Sequence, residues 1–221
     1  MWNTLIITPL SSVLHFFLTH SGDVGLAIVF FTIFIKILLF PLNLSAAKTT
    51  KGMKLVQKEV EKLREKHKSS PHELGRELSK LYKDNGIKPF SSILNLFIQI
   101  PIVFGLYTII KHEIGAVGGA YMFSYIDVSQ KSLLLAGLAF ISMFILMQIS
   151  TKDMANTDEM KDGFQKDFAK MMAIQMKYFM PVLILLSTTF LPAGLTLYFV
   201  VANVFGIFQT LLIRKLVHKA N

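Results

Sequence analysis

Five near-continuous apolar runs constrain this chain more than anything else in it: Val24–Leu44, Ile93–Ile110, Ser132–Ile149, Tyr178–Leu191 and Leu195–Ile213. About 20 helical residues cross the roughly 30 Å of bilayer hydrocarbon, where no water satisfies open backbone groups, so such runs fold as membrane-spanning helices. With 52% of its 221 residues hydrophobic, the chain is too apolar for a soluble domain. The expected fold is an all-α polytopic membrane protein with five transmembrane helices at 23–44, 93–110, 132–149, 178–191 and 195–213. The last two meet at Pro192-Ala193-Gly194, a helix breaker and a glycine that suit a tight reversal. The fourth run, about 14 residues or roughly 21 Å of helix, is short enough to thin the bilayer locally.

Charge fixes the expected orientation. Of the 23 Lys and Arg residues, 12 lie between Lys48 and Lys88, 5 between Lys152 and Lys177, and 3 after Ile213, whereas only Lys111 and Lys131 occupy the opposite loops. The positive-inside rule then puts the N-terminus outside, with the loops 45–92 and 150–177 and the tail 214–221 cytoplasmic, and 111–131 extracytoplasmic. Residues 1–22 set Trp2, Leu5, Ile6, Leu10, Leu14 and Phe17 among Ser, Thr and His, without a basic n-region and interrupted by Pro9. They are expected to form an interfacial amphipathic helix, not a cleaved signal peptide. The absence of cysteine excludes disulfides, thiolate metal sites and a Cys nucleophile.

Both cytoplasmic loops have helical patterns. In 45–92, Met53, Val56, Val60 and Leu63 form a narrow stripe, and Leu74, Leu78 and Leu81 a second one. Ser70-Pro71-His72-Glu73 between them has the form of a capping box, and Asn85-Gly86 closes a helical hairpin. Twelve basic against six acidic side chains make this hairpin cationic: a solvated element near anionic headgroups, or a surface for nascent chains and their ribosome. In 150–177, Phe164, Phe168, Met172, Met176 and Met180 recur every fourth residue. Methionine adapts to varied apolar partners, so this stripe is a candidate contact for apolar substrates, the alternative being packing on neighbouring helices.

One cation, Lys36, stands inside the first run, about seven residues or roughly 10 Å from its cytoplasmic end. A lysine in hydrocarbon costs roughly 2.5–3.5 kcal/mol on translocon scales, and every Asp and Glu lies outside the five runs. Lys36 therefore either snorkels to the cytoplasmic headgroups or faces a wet cavity open to the cytoplasm. Thr32, Gln99, Ser142, Gln148, Asn203 and Gln209 add hydrogen-bonding groups across four spans. Singly each reads as interhelical glue; as a set with Lys36 they are candidate lining of a groove. The sequence has no metalloprotease, hydrolase, P-loop or dinucleotide fingerprint, so no catalytic residue, metal or cofactor is expected. A small-solute transporter or channel is the main rival, weakened because no intramembrane acid is present to couple ions.

The motifs fall in a telling order. "GLAIVFFTIFIKILLFPLN" puts Lys36 ahead of Pro41-Leu42, and "LYKDNGIKPF" ends the hairpin. "IQIPIVFGLY" follows with Gln99, Pro101 and Tyr107, then "MPV" at Met180–Val182. Last comes "FLPAGLTLYFVVANVFGIFQTLLIRK", with Pro192, Gly194, Leu197, Tyr198, Asn203 and Gln209. Together they resemble the YidC/Oxa/Alb membrane insertases, in a bacterial short form without the large extracytoplasmic domain. The resemblance implies a multi-pass plasma-membrane protein with a cytoplasm-open hydrophilic groove. There Lys36 attracts the polar or acidic translocated part of a nascent membrane protein, and the client's apolar helix passes into lipid along the third and fifth spans. The implied partners are nascent membrane proteins and the bilayer, with the ribosome and Sec translocon as candidates and no nucleic-acid role. The family usually carries Arg where this chain has Lys36, which implies looser carboxylate geometry. The short tail 214–221 implies that any ribosome docking rests on the two cytoplasmic loops and this short stub.

Overall fold

A computed structural model describes residues 6–88, 91–114, 121–123, 125–151, 171–172 and 174–219, and it divides into two compact units. The first comprises Met1–Leu38 and Ile100–Arg214. Its opening helix, α1 (Thr8–Ser21), carries Pro9 in the first turn, where the missing N–H has no helical partner to lose. Residues 6–7 are π-helical, so Pro9 marks the change from π to α geometry. Gly22 ends α1 at φ 67°, its N–H donating to the Leu18 carbonyl at 2.9 Å. The chain turns there into α2 (Val24–Leu38), on which α1 packs: the Phe17 ring lies 6.1 Å from those of Phe30 and Phe34, and Leu14 is buried.

Residues 121–123 and 125–131 belong to a strap. Two short strands, β1 (Tyr121–Met122) and β2 (Ile126–Asp127), pair antiparallel, so the chain is not all helix as expected. Directly after β2 the chain turns, the hydroxyl and amide of Ser129 donating to Asp127 Oδ1 at 2.6 and 2.8 Å. Those bonds, the hydroxyl's first, hold the Asp127 carboxyl below the usual carboxylate range. Ser132 then caps α7 (Leu133–Ser150), its Oγ accepting from Leu135 N–H at 3.4 Å.

The remaining spans depart from the expected lengths. α6 (Ser91–Thr108) accommodates Pro101 and gives way to a π-helical turn at Ile109–Ile114. A second π turn, Gln175–Phe179, precedes α8 (Met180–Thr188), and α9 (Ala193–Lys219) runs past the expected end at 213 into the tail. Only Leu133–Ser150 and Ala193–Leu216 are long and apolar enough to cross a membrane alone among the described residues. Val24–Leu38 and Phe40–Leu55, broken at Leu39, make a third if counted together, and Phe97–Lys111 is a shorter apolar helix. The result is a mostly helical membrane architecture in which the expected second and fourth spans leave α geometry at one end.

The second unit, Leu39–Gln99 and Lys215–Asn221, contains α3 (Phe40–Leu55), α4 (Gln57–Lys66) and α5 (Pro71–Asp84). The expected hairpin is the α4–α5 pair, with Leu63 and Leu81 lining the space between the two helices and α3 running on from the Pro41-Leu42 region. Its closing turn is a Schellman motif: Ile87 N–H donates to Tyr82 O at 2.8 Å and Gly86 N–H, at φ 65°, to Lys83 O at 3.1 Å. The expected capping box does not form. Ser70 makes no side-chain cap, and Glu73 instead pairs with His67 Nδ1 at 3.1 Å, since the α4 end brings His67 within its reach.

Candidate functional site

Lys36 sits two residues before the end of α2, half-buried beside buried Ile35 and exposed Ile37 and Leu38. Among the described residues it makes no hydrogen bond or ion pair. One turn earlier Thr32 is fully buried, and its hydroxyl donates to the Ile28 carbonyl of its own helix at 2.6 Å. Thr32 is therefore satisfied inside the packed core.

Two of the other polar residues meet. Asn203 Nδ2 on α9 donates to Ser142 Oγ at 3.2 Å and to Ala139 O at 3.4 Å on α7, while Ser142 donates to Ala139 O at 3.0 Å. The three form the glue that polar side chains supply between helices in lipid, where no hydrophobic force distinguishes a neighbour from a lipid tail. Asn203→Ala should cost about 0.6–1.7 kcal/mol of stability, the range for such bonds in membranes, read as earlier unfolding in a denaturant titration. Ser142→Ala should cost less, because Asn203 keeps the Ala139 carbonyl.

The rest are placed singly. Gln209 is buried further along α9, Gln148 is half-buried on α7, and Gln99 is half-buried in the other unit. Of the apolar stripe, Phe164 and Phe168 lie outside the described residues, Met172 and Met176 are half-buried, and Met180 is exposed. The fourfold spacing crosses the π turn at Gln175–Phe179, where hydrogen bonds run i to i+5, so it ceases to mark one helix face.

Two polar anchors escaped the sequence reading. Arg214 Nη2 donates to the Ile149 carbonyl at 2.5 Å, tying α9 to the end of α7, where the helix dipole favours a cation. Asp23 caps α2, its Oδ1 accepting from Leu26 N–H at 2.9 Å. The legible signals were an acid directly before one apolar run and a base directly after another.

Packing in this unit is uneven. The buried residues of α7 are Leu135, Ala136, Ala139 and Ser142, all in the half next to the strap. On α9 burial is continuous from Ala193 to Tyr198 and returns at Ala202 and Asn203, but beyond Val204 only Gln209 and Ile213 are buried among the described residues. α2 follows suit: after Thr32 only Ile35 is buried. Lys36 therefore occupies the loosely packed end of its helix.

Fold and site define a helical membrane protein that is densely packed at one end and carries a span cation toward the other, with no metal-binding cluster among the described residues. The family model of the 60Kd inner membrane protein matches residues 16–220. The chain is 34% identical to membrane protein insertase YidC 2 of Bacillus anthracis, over 97% of this chain and 81% of that protein. It is 30% identical to the YidC insertase of Oceanobacillus iheyensis, over 97% and 84% of the two chains. With the YidC insertase of Paraburkholderia phymatum it shares 33% identity over 97% of this chain but only 37% of that protein. A crystal structure of an active YidC insertase with its first transmembrane domain resolved has the same fold, at TM-score 0.62 and 22% identity, covering 94% of this chain and 46% of that one. The chain belongs to the YidC, or 60Kd inner membrane protein, family.

Proposed function

We propose that this chain is a membrane protein insertase of the bacterial inner membrane, with five spans, the N-terminus outside and the C-terminus in the cytoplasm. It acts by moving polypeptide, not by making or breaking bonds. Polar or acidic segments of nascent membrane proteins enter a groove open to the cytoplasm, and Lys36 is the charge that draws them. The observation that carries this reading is the position of Lys36 at the thinly packed end of α2, without a hydrogen-bonding or ionic partner among the described residues. A desolvated cation is costly, so a half-buried one with no internal counter-charge is poised for a counter-charge brought from outside. Gln148 and Gln209 are assigned to the same end of the groove, and Thr32 and Asn203 to the packed floor. The methionines at 172, 176 and 180 would meet the client's apolar helix. Any ribosome or Sec translocon contact would fall on the cationic loop 45–92 and the tail.

Reconstitution tests it. Proteoliposomes holding the purified chain should insert, without an energy source, a small single-span client that carries a photocrosslinker in its translocated tail. The crosslink should form around Lys36, and that tail should become protease-protected. Solute exchange without insertion would instead make the protein a transporter, and efficient insertion without any crosslink would remove Lys36 from the path.

A further inference from the structure

We infer that Asp23 is a positioning residue that clamps the strap across the densely packed end of the unit and thereby seals the groove on the side opposite its cytoplasmic mouth. The inference rests on the insertase reading, since a seal matters only where a wet groove enters the membrane. One carboxylate serves two backbones. While Oδ1 caps α2 at Leu26 N–H, Oδ2 accepts from Phe123 N–H in the strap at 2.7 Å, across 100 residues of sequence. An ionised acceptor makes these bonds roughly twice as strong as neutral ones.

Phe123 holds φ 54°, a left-handed backbone that an aromatic residue adopts only when its surroundings impose it. Gly25, in the first turn of α2, lets the strap lie directly on the helix: a Cβ there would meet Met122 Cβ at 2.7 Å and Phe123 Cζ at 2.9 Å. The far end of the strap is fastened as well. Gln130 O and Val128 O accept from the Ala193 and Gly194 N–H groups at 2.7 and 3.0 Å, satisfying the open first turn of α9. Beside these fastenings Met122 and Val128 are fully buried, so the strap presses apolar side chains into the ends of the helices that carry Lys36 and Asn203.

Asp23→Ser separates the two duties, because a serine hydroxyl is a good N-cap but is too short to hold Phe123 at the same time. In the full chain reconstituted in proteoliposomes, amide exchange at Phe123 should speed about tenfold, as for loss of one charge-assisted hydrogen bond, while Leu26 stays protected. Efflux of trapped potassium ions should rise severalfold. Gly25→Ala is a second route to the same opening: its Cβ would crowd both Met122 and, at 3.0 Å, Asp23 Oδ1. It should leak as well, whereas Gly137→Ala, whose Cβ meets nothing within 4 Å, should not. Unchanged exchange at Phe123 in Asp23→Ser would overturn the clamp. Faster exchange with tight vesicles in both variants would overturn the seal. Should Asp23→Ser fail to fold, the leak of Gly25→Ala decides alone. Vesicles of the unaltered protein report client insertion separately: leaky variants beside an unaltered protein that inserts nothing would sink the insertase reading and leave the clamp standing.

Discussion

Lys36→Ala should lower insertion of a client with an acidic translocated tail by roughly tenfold, with a much smaller loss for the same client carrying a neutral tail. Two unit charges 4 Å apart attract by about 1 kcal/mol in water and about 4 kcal/mol at an effective dielectric of 20. A groove open to the cytoplasm lies toward the watery limit, and 1.4 kcal/mol is tenfold in an equilibrium. Since Lys36 has no hydrogen bond or ion pair to lose among the described residues, the alanine variant should fold and unfold like the parent, so the defect will be in handling clients. Lys36→Arg keeps the charge and adds a planar two-pronged donor, so it should insert acidic tails at least as well as the parent. Salt supplies an orthogonal check. At 1 M ionic strength the screening length falls to about 3 Å, and the parent should lose most of its preference for acidic over neutral tails. Equal insertion of both tails by Lys36→Ala and the parent would show that residue 36 merely snorkels.

How far the residues foretold this arrangement depends on whether the determining interaction was local. The apolar runs marked α7 and α9, because a long apolar helix needs only length and composition, whereas the first run is broken at Leu39. Asn85-Gly86 foretold the end of α5 because a left-handed cap is a property of a glycine and its immediate neighbours. Glu73 misled because two local partners competed for it, and His67, brought close by the α4–α5 turn, took the carboxylate that a capping box would have used. The strap was illegible, since its bonds join Asp23 to Phe123 and Gln130 to Ala193, distant pairs whose partners are backbone groups that no side-chain pattern announces. The polar residues in the spans show both outcomes. Ser142 and Asn203 proved to be one pair, whereas Thr32 turned back onto its own helix, a choice open to any threonine in an α-helix.

Tyr198→Ala should be the most destabilising single truncation in the molecule, at about 3 kcal/mol, the low end for an aromatic core residue. Tyr198 is the largest fully buried side chain among the described residues and lies within the unbroken buried stretch at the start of α9. The low end applies because lipid is as apolar as a protein core, which removes most of the transfer contribution and leaves lost dispersion contacts and an unfilled cavity. Denaturant titration followed by circular dichroism should separate it from Phe208→Ala on the same helix. Phe208 is 69% exposed and faces lipid or client, so its removal should leave unfolding nearly unchanged. Tyr198→Phe keeps the ring and, giving up only the hydroxyl's interaction, should cost about 1 kcal/mol. The functional pattern should differ from that of Lys36. Tyr198 belongs to the dense end that holds the helices together, so its loss should lower insertion of acidic and neutral tails by the same factor, in step with the fraction of protein unfolded. A selective defect for acidic tails in Tyr198→Ala would mean that the dense end, not Lys36, senses client charge.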